Sequence, residues 1–332
     1  MPMLREIEAF GSNPGKLRML LQVPERRRAA PPIVVVLHGC GQTAHGYAEG
    51  SGWARLAEHL GAIVVYPEQR SGNDAQTCFS WFRSRDTTRG SGEAQSIREM
   101  VEHAIVVYGA DRSRVHVTGL SAGGAMTVAM LATYPEVFAA GAVIGGLAYG
   151  SADTMHGALA AMLSEQTIQA DTLGNRVRQA SAHQGPWPAI SVWHGESDRI
   201  VRPTNALNII RQWTNLHGLG DIPTSEDTVS GGQLRRIWKD AAGHTVVEAY
   251  LIPGMAHGVP ISASECGKAG PFFYDVGLSS AHIIAEAWGL SGSVPRRSRP
   301  LERSPKTNAR GGIAGRAVAA IRSLLEPVDP GR

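Results

Sequence analysis

The chain has 332 residues, of which 43% are hydrophobic and 18% charged, as is typical of a globular protein with a sizeable core. Its net charge of +3 is uneven, because residues 291–332 contain nine basic and three acidic residues and leave the rest of the chain mildly acidic. Because residues 1–290 are not basic, this distribution argues against a nucleic-acid-binding surface on that part of the chain. Three cysteines are too few for a disulfide-built scaffold, although one pair and one free thiol fit.

Short apolar runs alternate with helical patterns along most of the chain. The runs that predict buried strands are residues 33–37, 62–66, 115–119, 139–146, 190–195 and 247–253. The helical patterns lie near residues 53–60, 94–108, 122–133, 204–216 and 279–288. This alternation predicts an α/β fold with a mostly parallel sheet and helices on both faces.

Other segments flank this pattern. Residues 7–10 and 17–23, split by GSNPG, predict an antiparallel hairpin, and residues 150–185 predict a helical insertion above the sheet. We expect one domain over residues 1–290. Residues 291–332 are predicted to be a basic, disordered linker with a short C-terminal helix; the alternative is a tether that makes weak contact with an anionic surface or polymer granule.

The segment VTGLSAGGAM contains Ser121 in a G-x-S-x-G motif between a predicted strand and a predicted helix. In that context the motif is typical of a nucleophile elbow, a strained turn that exposes the serine hydroxyl above the sheet. The alternative is an ordinary helix start, where small residues permit close packing.

A serine nucleophile needs a histidine base. Among the twelve histidines, His257 follows a predicted strand in the glycine-rich loop PGMAHGVP. Loops at the carboxyl ends of parallel strands are where such sheets place their chemistry. His194 and His244 are weaker candidates, because one ends a strand and the other precedes one.

The base needs an orienting acid, which WHGESDRIV supplies directly after a predicted strand. We favour Asp198, because the apolar pair Ile200 and Val201 anchors the loop just beyond it. Glu196 is the alternative and is expected to face solvent.

The segment HGCGQTA, residues 38–44, ends another predicted strand and offers backbone amides for an oxyanion hole. GCGQTA also fits a dinucleotide-binding fingerprint, with Glu68 as the ribose-binding acid. We disfavour that alternative because Gly46, Gly50 and Gly52 interrupt the place where its helix should begin.

Several spaced motifs between residues 15 and 290 together resemble the poly(3-hydroxybutyrate) depolymerase family of α/β-hydrolase esterases, which includes feruloyl and acetyl esterases. The motifs are LHGCGQT, CFSWF, VTGLSAGGAM, SVWHGESDRIV, PGMAHG and GPFFYDVGLSSAHIIAEAWGL. The resemblance implies a Ser121–His257–Asp198 triad and an oxyanion hole formed by the amides of Cys40 and Ala122.

The resemblance implies an ester hydrolase acting through an acyl-enzyme on hydroxyalkanoate polyesters, oligomers or related short-chain esters. Feruloyl or acetyl esters of sugars are the alternative substrates, and a non-catalytic binding module is the alternative role. No cofactor is expected, and no metal, because the cysteines and histidines lack the paired spacing of a zinc site. The sequence indicates no oligomeric state.

Three aromatic residues are candidates for the substrate pocket, namely Trp81, Phe82 and Trp193; the alternative is that they are core aromatics.

Cys40 and Cys78 are both predicted at the carboxyl edge of the sheet, close enough to form a disulfide, whereas the alternative is three separate buried thiols.

The N-terminal segment contains acidic residues and no sustained apolar run, so a cytoplasmic location is expected. The resemblance gives an extracellular location as the alternative, because many members of the family are secreted.

Overall fold

A computed structural model describes residues 4–229 and 232–290. The strands of the main sheet in these ranges are β1 (Arg5–Ile7), β2 (Arg18–Gln22), β3 (Ile33–Leu37), β4 (Ile63–Glu68), β5 (Val115–Leu120), β6 (Ala140–Ile144), β7 (Ala189–Gly195), β8 (Ser225–Val229), β9 (Gln233–Lys239) and β10 (Thr245–Ile252). Their order is β1-β2-β4-β3-β5-β6-β7-β10-β9-β8. From β4 to β10 in this order, neighbouring strands pair parallel. The two strands beyond each end of this group, β2 and β1 on one side and β9 and β8 on the other, each pair antiparallel with the neighbour before them.

Helices cover both faces of this sheet, as the sequence predicts. In the described ranges they are α1 (Ala44–Ser51), α2 (Trp53–Leu60), α3 (Ser84–Thr87), α4 (Gly92–Tyr108), α5 (Ala122–Thr133), α6 (Met155–Leu163), α7 (Ala170–Arg178), α8 (Thr204–Leu216) and α9 (Ser280–Ala287). A small parallel pair, β11 (Val259–Ile261) and β12 (Phe273–Asp275), lies outside the main sheet. None of the helices in this part of the chain is long and apolar enough to cross a bilayer.

The core has two layers because side chains alternate along each strand. In β3, Ile33, Val35 and Leu37 pack into the layer that contains residues of α4, α5 and α8. Val34 and Val36 point to the opposite layer, with residues of α1, α2 and α9. A strand with both faces covered reads as a continuous apolar run, which explains the sequence IVVVL.

The expectation that glycines interrupt a helix after residue 43 is wrong, because α1 begins at once. Thr43 caps this helix, since its Oγ1 accepts a hydrogen bond of 3.2 Å from the amide of Gly46. Gly50 is required by packing, as a Cβ there would lie 2.4 Å from the ring of Phe273. Gly52 ends the helix with a φ of 86°. The glycines therefore shape α1 and its contacts.

The N-terminal hairpin and the helical insertion are both present. β1 pairs antiparallel with β2, although β1 begins earlier than the predicted strand. Phe10, which the prediction placed in that strand, instead packs into the core from a loop. α6 and α7 form the insertion between β6 and β7. The tail at 291–332, for which a linker, a helix and a surface tether are predicted, lies outside the described residues.

Candidate active site

The predicted site residues lie after neighbouring parallel strands, at one edge of the main sheet. In spatial order, β3 leads to the turn at Cys40, β5 to Ser121, β7 to Asp198 and β10 to His257. The register aligns these strand ends, because Leu37 pairs with Gly119 and Gly195 pairs with Ile252. The carboxyl edge of a parallel sheet is the expected place for a site in an α/β fold.

Ser121 occupies a strained turn between β5 and α5. Its φ of 58° and ψ of −119° lie in a region that non-glycine residues rarely adopt. The turn is held from both sides, because the Ser121 amide donates to the carbonyl oxygen of Ile144 at 2.9 Å and its own carbonyl accepts from Ala125 at 2.8 Å. This geometry is the strand–turn–helix arrangement that the G-x-S-x-G motif predicts.

The glycines on either side of Ser121 are required by backbone packing. A Cβ on Gly119 would lie 2.5 Å from the carbonyl of Gly123. A Cβ on Gly123 would lie 2.4 Å from the carbonyl oxygen of Leu37 and 2.5 Å from that of His38. The start of α5 therefore packs directly on the turn that follows β3, and any side chain would separate them.

Asp198 and His257 form a buried pair. His257 Nδ1 donates to Asp198 Oδ2 at 2.6 Å. This bond places the proton of a neutral imidazole on Nδ1 and leaves Nε2 as a hydrogen-bond acceptor. Glu196, the alternative acid, is exposed.

The carboxylate of Asp198 is fixed on both of its oxygens. Oδ1 accepts from the amides of Ile200 and Val201, each at 2.9 Å, which is the anchoring expected from the apolar pair. Burial raises the pKa of Asp198, but hydrogen bonds from His194 and His257 outweigh it and hold the pKa well below its ordinary value. The carboxylate therefore stays ionised at neutral pH.

His194, a candidate base in the sequence, lies behind the acid instead. Its Nε2 donates to the carbonyl oxygen of Val201 at 2.8 Å and lies 3.3 Å from Asp198 Oδ2. His194 therefore helps to position Asp198. The other candidate, His244, is on the surface and contacts Asp240.

Close loop contacts bring the base near the serine. A Cβ on Gly145, which has a φ of +53°, would lie 3.1 Å from Cε1 of His257. Ile144, whose carbonyl holds Ser121, directly precedes Gly145. Ser121 and the His257 ring thus contact adjacent residues at the end of β6. Sequence reasoning missed Gly145, although the pair Gly145–Gly146 at the end of the predicted strand 139–146 was a signal for close approach.

The two amides assigned to the oxyanion hole are both open. Ala122 is the first residue of α5, so its amide has no intrahelical acceptor. Within the described residues, neither this amide nor that of Cys40 donates a hydrogen bond. Ser121 Oγ and His257 Nε2 likewise make no hydrogen bond in this part of the chain. Two backbone N–H groups, a serine hydroxyl and an imidazole nitrogen are therefore without hydrogen-bond partners among the described residues.

A disulfide joins Cys40 to Cys78, with a Cα–Cα distance of 4.3 Å, and Cys266 is a buried free thiol. The bond attaches the turn after β3 to the segment that carries Trp81 and Phe82. Both aromatic residues are largely buried in the core, as their alternative states, and their remaining surface lines a cavity. Trp193 does not line this cavity. It is fully buried and stacks on Tyr250 with a distance of 3.7 Å between ring centroids, so it is a core aromatic residue and not part of a substrate pocket.

The dinucleotide alternative finds no support at Glu68. One carboxylate oxygen accepts from the amide of Ala44 at 2.7 Å, and the other pairs with Arg18. Both oxygens therefore serve the fold. Residues 4–229 and 232–290 contain no cluster of histidine, cysteine and acidic side chains that could hold a metal ion.

The sheet order, the strained serine after β5 and the His257–Asp198 pair at the same edge define the class of α/β-hydrolase esterases. Residues 20–233 match the family described as Esterase PHB depolymerase, and the chain belongs to this family. It is a carboxylic ester hydrolase.

Individual relatives agree with this assignment. The chain is 44% identical over 294 residues to poly(3-hydroxyalkanoate) depolymerase C of Paucimonas lemoignei, covering 87% of this chain and 70% of that protein. It is 35% identical over 269 residues to an acetylxylan esterase of Coprinopsis cinerea, covering 79% and 71%. The structure of an acetyl xylan esterase from Aspergillus awamori superposes with a TM-score of 0.76 at 27% identity, covering 87% of this chain and 100% of that one.

Proposed function

We propose that Ser121, His257 and Asp198 form a catalytic triad that hydrolyses carboxylic esters through an acyl-enzyme. The observation that carries the proposal is the 2.6 Å bond between His257 Nδ1 and Asp198 Oδ2, which leaves Nε2 free to accept a proton, together with the strained turn that holds Ser121 at the same edge of the sheet. Such an arrangement activates a serine hydroxyl for nucleophilic attack.

The reaction has two acyl-transfer steps. His257 Nε2 takes the proton of Ser121 as Oγ bonds to the ester carbonyl carbon, and the carbonyl oxygen becomes negative. The amides of Cys40 and Ala122 donate to this oxyanion; each such donor stabilises the transition state by about 3 kcal/mol. The C–O bond then breaks, and the leaving alcohol takes the proton from His257. Water repeats the sequence on the acyl-enzyme and releases the acid.

The substrates we propose are hydroxyalkanoate polyesters, their oligomers and related short-chain esters. The relative that is 44% identical is named for depolymerising poly(3-hydroxyalkanoate), which supports this class. Acetyl esters of sugars are the second candidate, supported by the acetylxylan esterase at 35% identity and by the superposition at TM-score 0.76. We expect Trp81 and Phe82 to contact the substrate, because the disulfide attaches their segment to the oxyanion turn.

The disulfide also bears on location. Disulfides persist in oxidising compartments and are rare in the cytosol. The Cys40–Cys78 bond therefore supports the extracellular alternative over the cytoplasmic expectation, and we propose an oxidising compartment for this protein.

The test is a substrate panel applied to the wild-type protein and to Ser121→Ala and His257→Ala. We expect turnover of p-nitrophenyl butyrate and of 3-hydroxybutyrate oligomers by the wild type, and loss of both by the variants with folding intact by circular dichroism. Faster turnover of acetylated xylo-oligosaccharides than of the hydroxybutyrate substrates would identify acetyl esters of sugars, the second candidate. Turnover of methyl ferulate would identify feruloyl esters instead. Near-normal turnover by either variant would refute the triad.

A further inference from the structure

A tight turn lies beside His257 and takes no part in the proposed reaction. Two residues after His257 the chain enters β11, which pairs parallel with β12. The turn that leads into β12 consists of Gly270, Pro271, Phe272 and Phe273. It is closed by the amide of Phe273, which donates to the carbonyl oxygen of Gly270 at 3.0 Å.

Phe272 is a residue that this turn disfavours. Proline at the second position and a positive φ at the third are features of a type II β-turn, whose third position favours glycine or asparagine. Phe272 occupies the third position with a φ of 65°. A bulky residue in the left-handed region is strained, and strain of this kind clusters at functional sites. Glycine would adopt the same conformation without strain.

The turn places the Phe272 ring against the base of the proposed triad. The ring centroids of Phe272 and His257 lie 6.2 Å apart with an angle of 81° between their planes, which is an edge-to-face contact. The carbonyl oxygen of Phe272 accepts from the amide of Val259 at 2.8 Å, so the turn is also tied to the strand after His257. Phe272 is only partly buried. An aromatic surface is therefore fixed beside the imidazole.

Tyr274 extends this surface. A Cβ on Gly258 would lie 2.6 Å from Cε2 of Tyr274, so the tyrosine ring packs directly on the residue after His257. Burial, and after it the negative charge of Asp198, raises the pKa of Tyr274, which agrees with a position close to the triad. Tyr274 is also partly buried. Phe272 and Tyr274 together are called the aromatic wall below.

Phe273, which lies between the two residues of the aromatic wall, points into the core instead. It is buried, and its ring centroid lies 5.6 Å from that of Tyr47. Gly50 packs directly on the same ring. Phe273 therefore anchors the turn in the core, and the aromatic wall lies at the site.

The chemistry of the proposed triad assigns the aromatic wall to one part of the substrate. When the ester bond breaks, His257 Nε2 hands its proton to the oxygen of the leaving alcohol, so this oxygen must lie within hydrogen-bond distance of the imidazole. The group attached to this oxygen then lies beside the His257 ring. That is where Phe272 lies.

We propose that Phe272 and Tyr274 bind the alcohol portion of the ester and that Phe272 makes the enzyme prefer apolar alcohol groups. In a hydroxyalkanoate oligomer, the alcohol portion is the next hydroxyalkanoate unit, whose hydrocarbon part can contact the ring. This inference rests on the proposed function, because it assumes that Ser121 attacks the ester and that His257 protonates the leaving alcohol.

Two pairs of esters separate the alcohol side from the acyl side. Benzyl butyrate and ethyl butyrate differ only in the alcohol, and p-nitrophenyl butyrate and p-nitrophenyl acetate differ only in the acyl group. We expect Phe272→Gly to lower the benzyl-to-ethyl ratio of kcat/KM by about tenfold relative to the wild type, because an aromatic contact is lost. The butyrate-to-acetate ratio should stay within about twofold. Comparison with the wild type cancels the intrinsic reactivity of each ester.

The control variants separate the ring from the turn. Glycine is the residue that the turn favours, so Phe272→Gly should keep the fold. Phe272→Tyr keeps an aromatic ring and should keep the benzyl-to-ethyl ratio. Phe273→Ala is the matched control from the same turn; it should lower the midpoint of urea unfolding, because the core anchor is lost, and leave the ratio unchanged.

An unchanged benzyl-to-ethyl ratio in Phe272→Gly would overturn the proposal. An equal loss of kcat/KM on all of these esters would also overturn it, because Phe272 would then only support His257. The wild type and Ser121→Ala, assayed on the same esters, test the proposed function separately. No turnover by the wild type would refute that function and this inference with it, whereas an active wild type with an unchanged ratio in Phe272→Gly would refute the inference alone.

Discussion

Replacing Asp198 by Asn should nearly abolish ester hydrolysis while leaving the loop in place. Two backbone amides, those of Ile200 and Val201, point at Oδ1, so the side-chain oxygen of Asn must face them. Its NH₂ group then faces His257 Nδ1. Since NH₂ is a donor, the imidazole must accept on Nδ1 and carry its proton on Nε2. In this tautomer the ring cannot take the proton of Ser121.

The size of the loss follows from this tautomer change. Reversing the tautomer of a triad histidine lowers kcat by about 10⁴, or about 5 kcal/mol of transition-state stabilisation. The NH₂ group would also face His194 Nε2–H, which now lies 3.3 Å from the carboxylate, and two donors repel. We therefore expect a loss of at least this order.

The assay is kcat for p-nitrophenyl butyrate at neutral pH, with folding followed by thermal unfolding. Glu196→Gln is the matched control, because this exposed carboxylate lies in the same loop and contributes nothing to the His257 bond. It should stay within a fewfold of the wild type. A kcat for Asp198→Asn within tenfold of the wild type would refute the tautomer argument, and a large loss in Glu196→Gln alone would move the acid to that residue.

Gly123→Ala should lower stability by about 1–3 kcal/mol and reduce kcat, because its Cβ would lie 2.4 Å from a carbonyl oxygen. Gly220→Ala, with open space around it, is the control in urea unfolding, and equal effects of both would contradict the packing argument. Replacing Cys40 and Cys78 by Ala should lower the free energy of unfolding by about 4 kcal/mol, since the bond closes a loop of 38 residues. Wild-type protein in dithiothreitol should lose the same amount, and no change in urea unfolding would mean that the bond adds nothing. Burial lowers the pKa of His116 to about 3, so its neutral form stabilises the fold above the unfolded-state pKa near 6.5 and this stability is lost as pH falls. The loss from this residue should reach about 3 kcal/mol at pH 4.5 and be absent in His116→Phe; the same pH slope in both proteins would contradict it.

The central sheet could be predicted because its strands are buried on both faces. A run such as IVVVL needs no partner to be recognised. The antiparallel edge strand β8 was missed because its sequence, SEDTV, is largely exposed and polar. Edge strands depend on pairing with a neighbour, and a single sequence does not show that pairing.

The site residues could be proposed because each follows a predicted strand. Their positioning groups could not, because those depend on contacts between distant loops. Nothing local shows that His194 lies behind Asp198, or that Gly145 contacts His257. Trp193 illustrates the same limit, since a tryptophan at the end of a buried strand fits a pocket wall or a core, and only packing decides between them.

Covalent labelling tests the central claim, that Ser121 is the nucleophile. The full-length protein is treated with diethyl p-nitrophenyl phosphate, and the site and extent of labelling are found by intact-mass and peptide mass spectrometry. We expect one diethylphosphoryl group per chain, on Ser121, with activity lost in proportion, and no label on Ser121→Ala protein. Stoichiometric labelling of another residue, or full esterase activity in protein labelled at Ser121, would contradict the account.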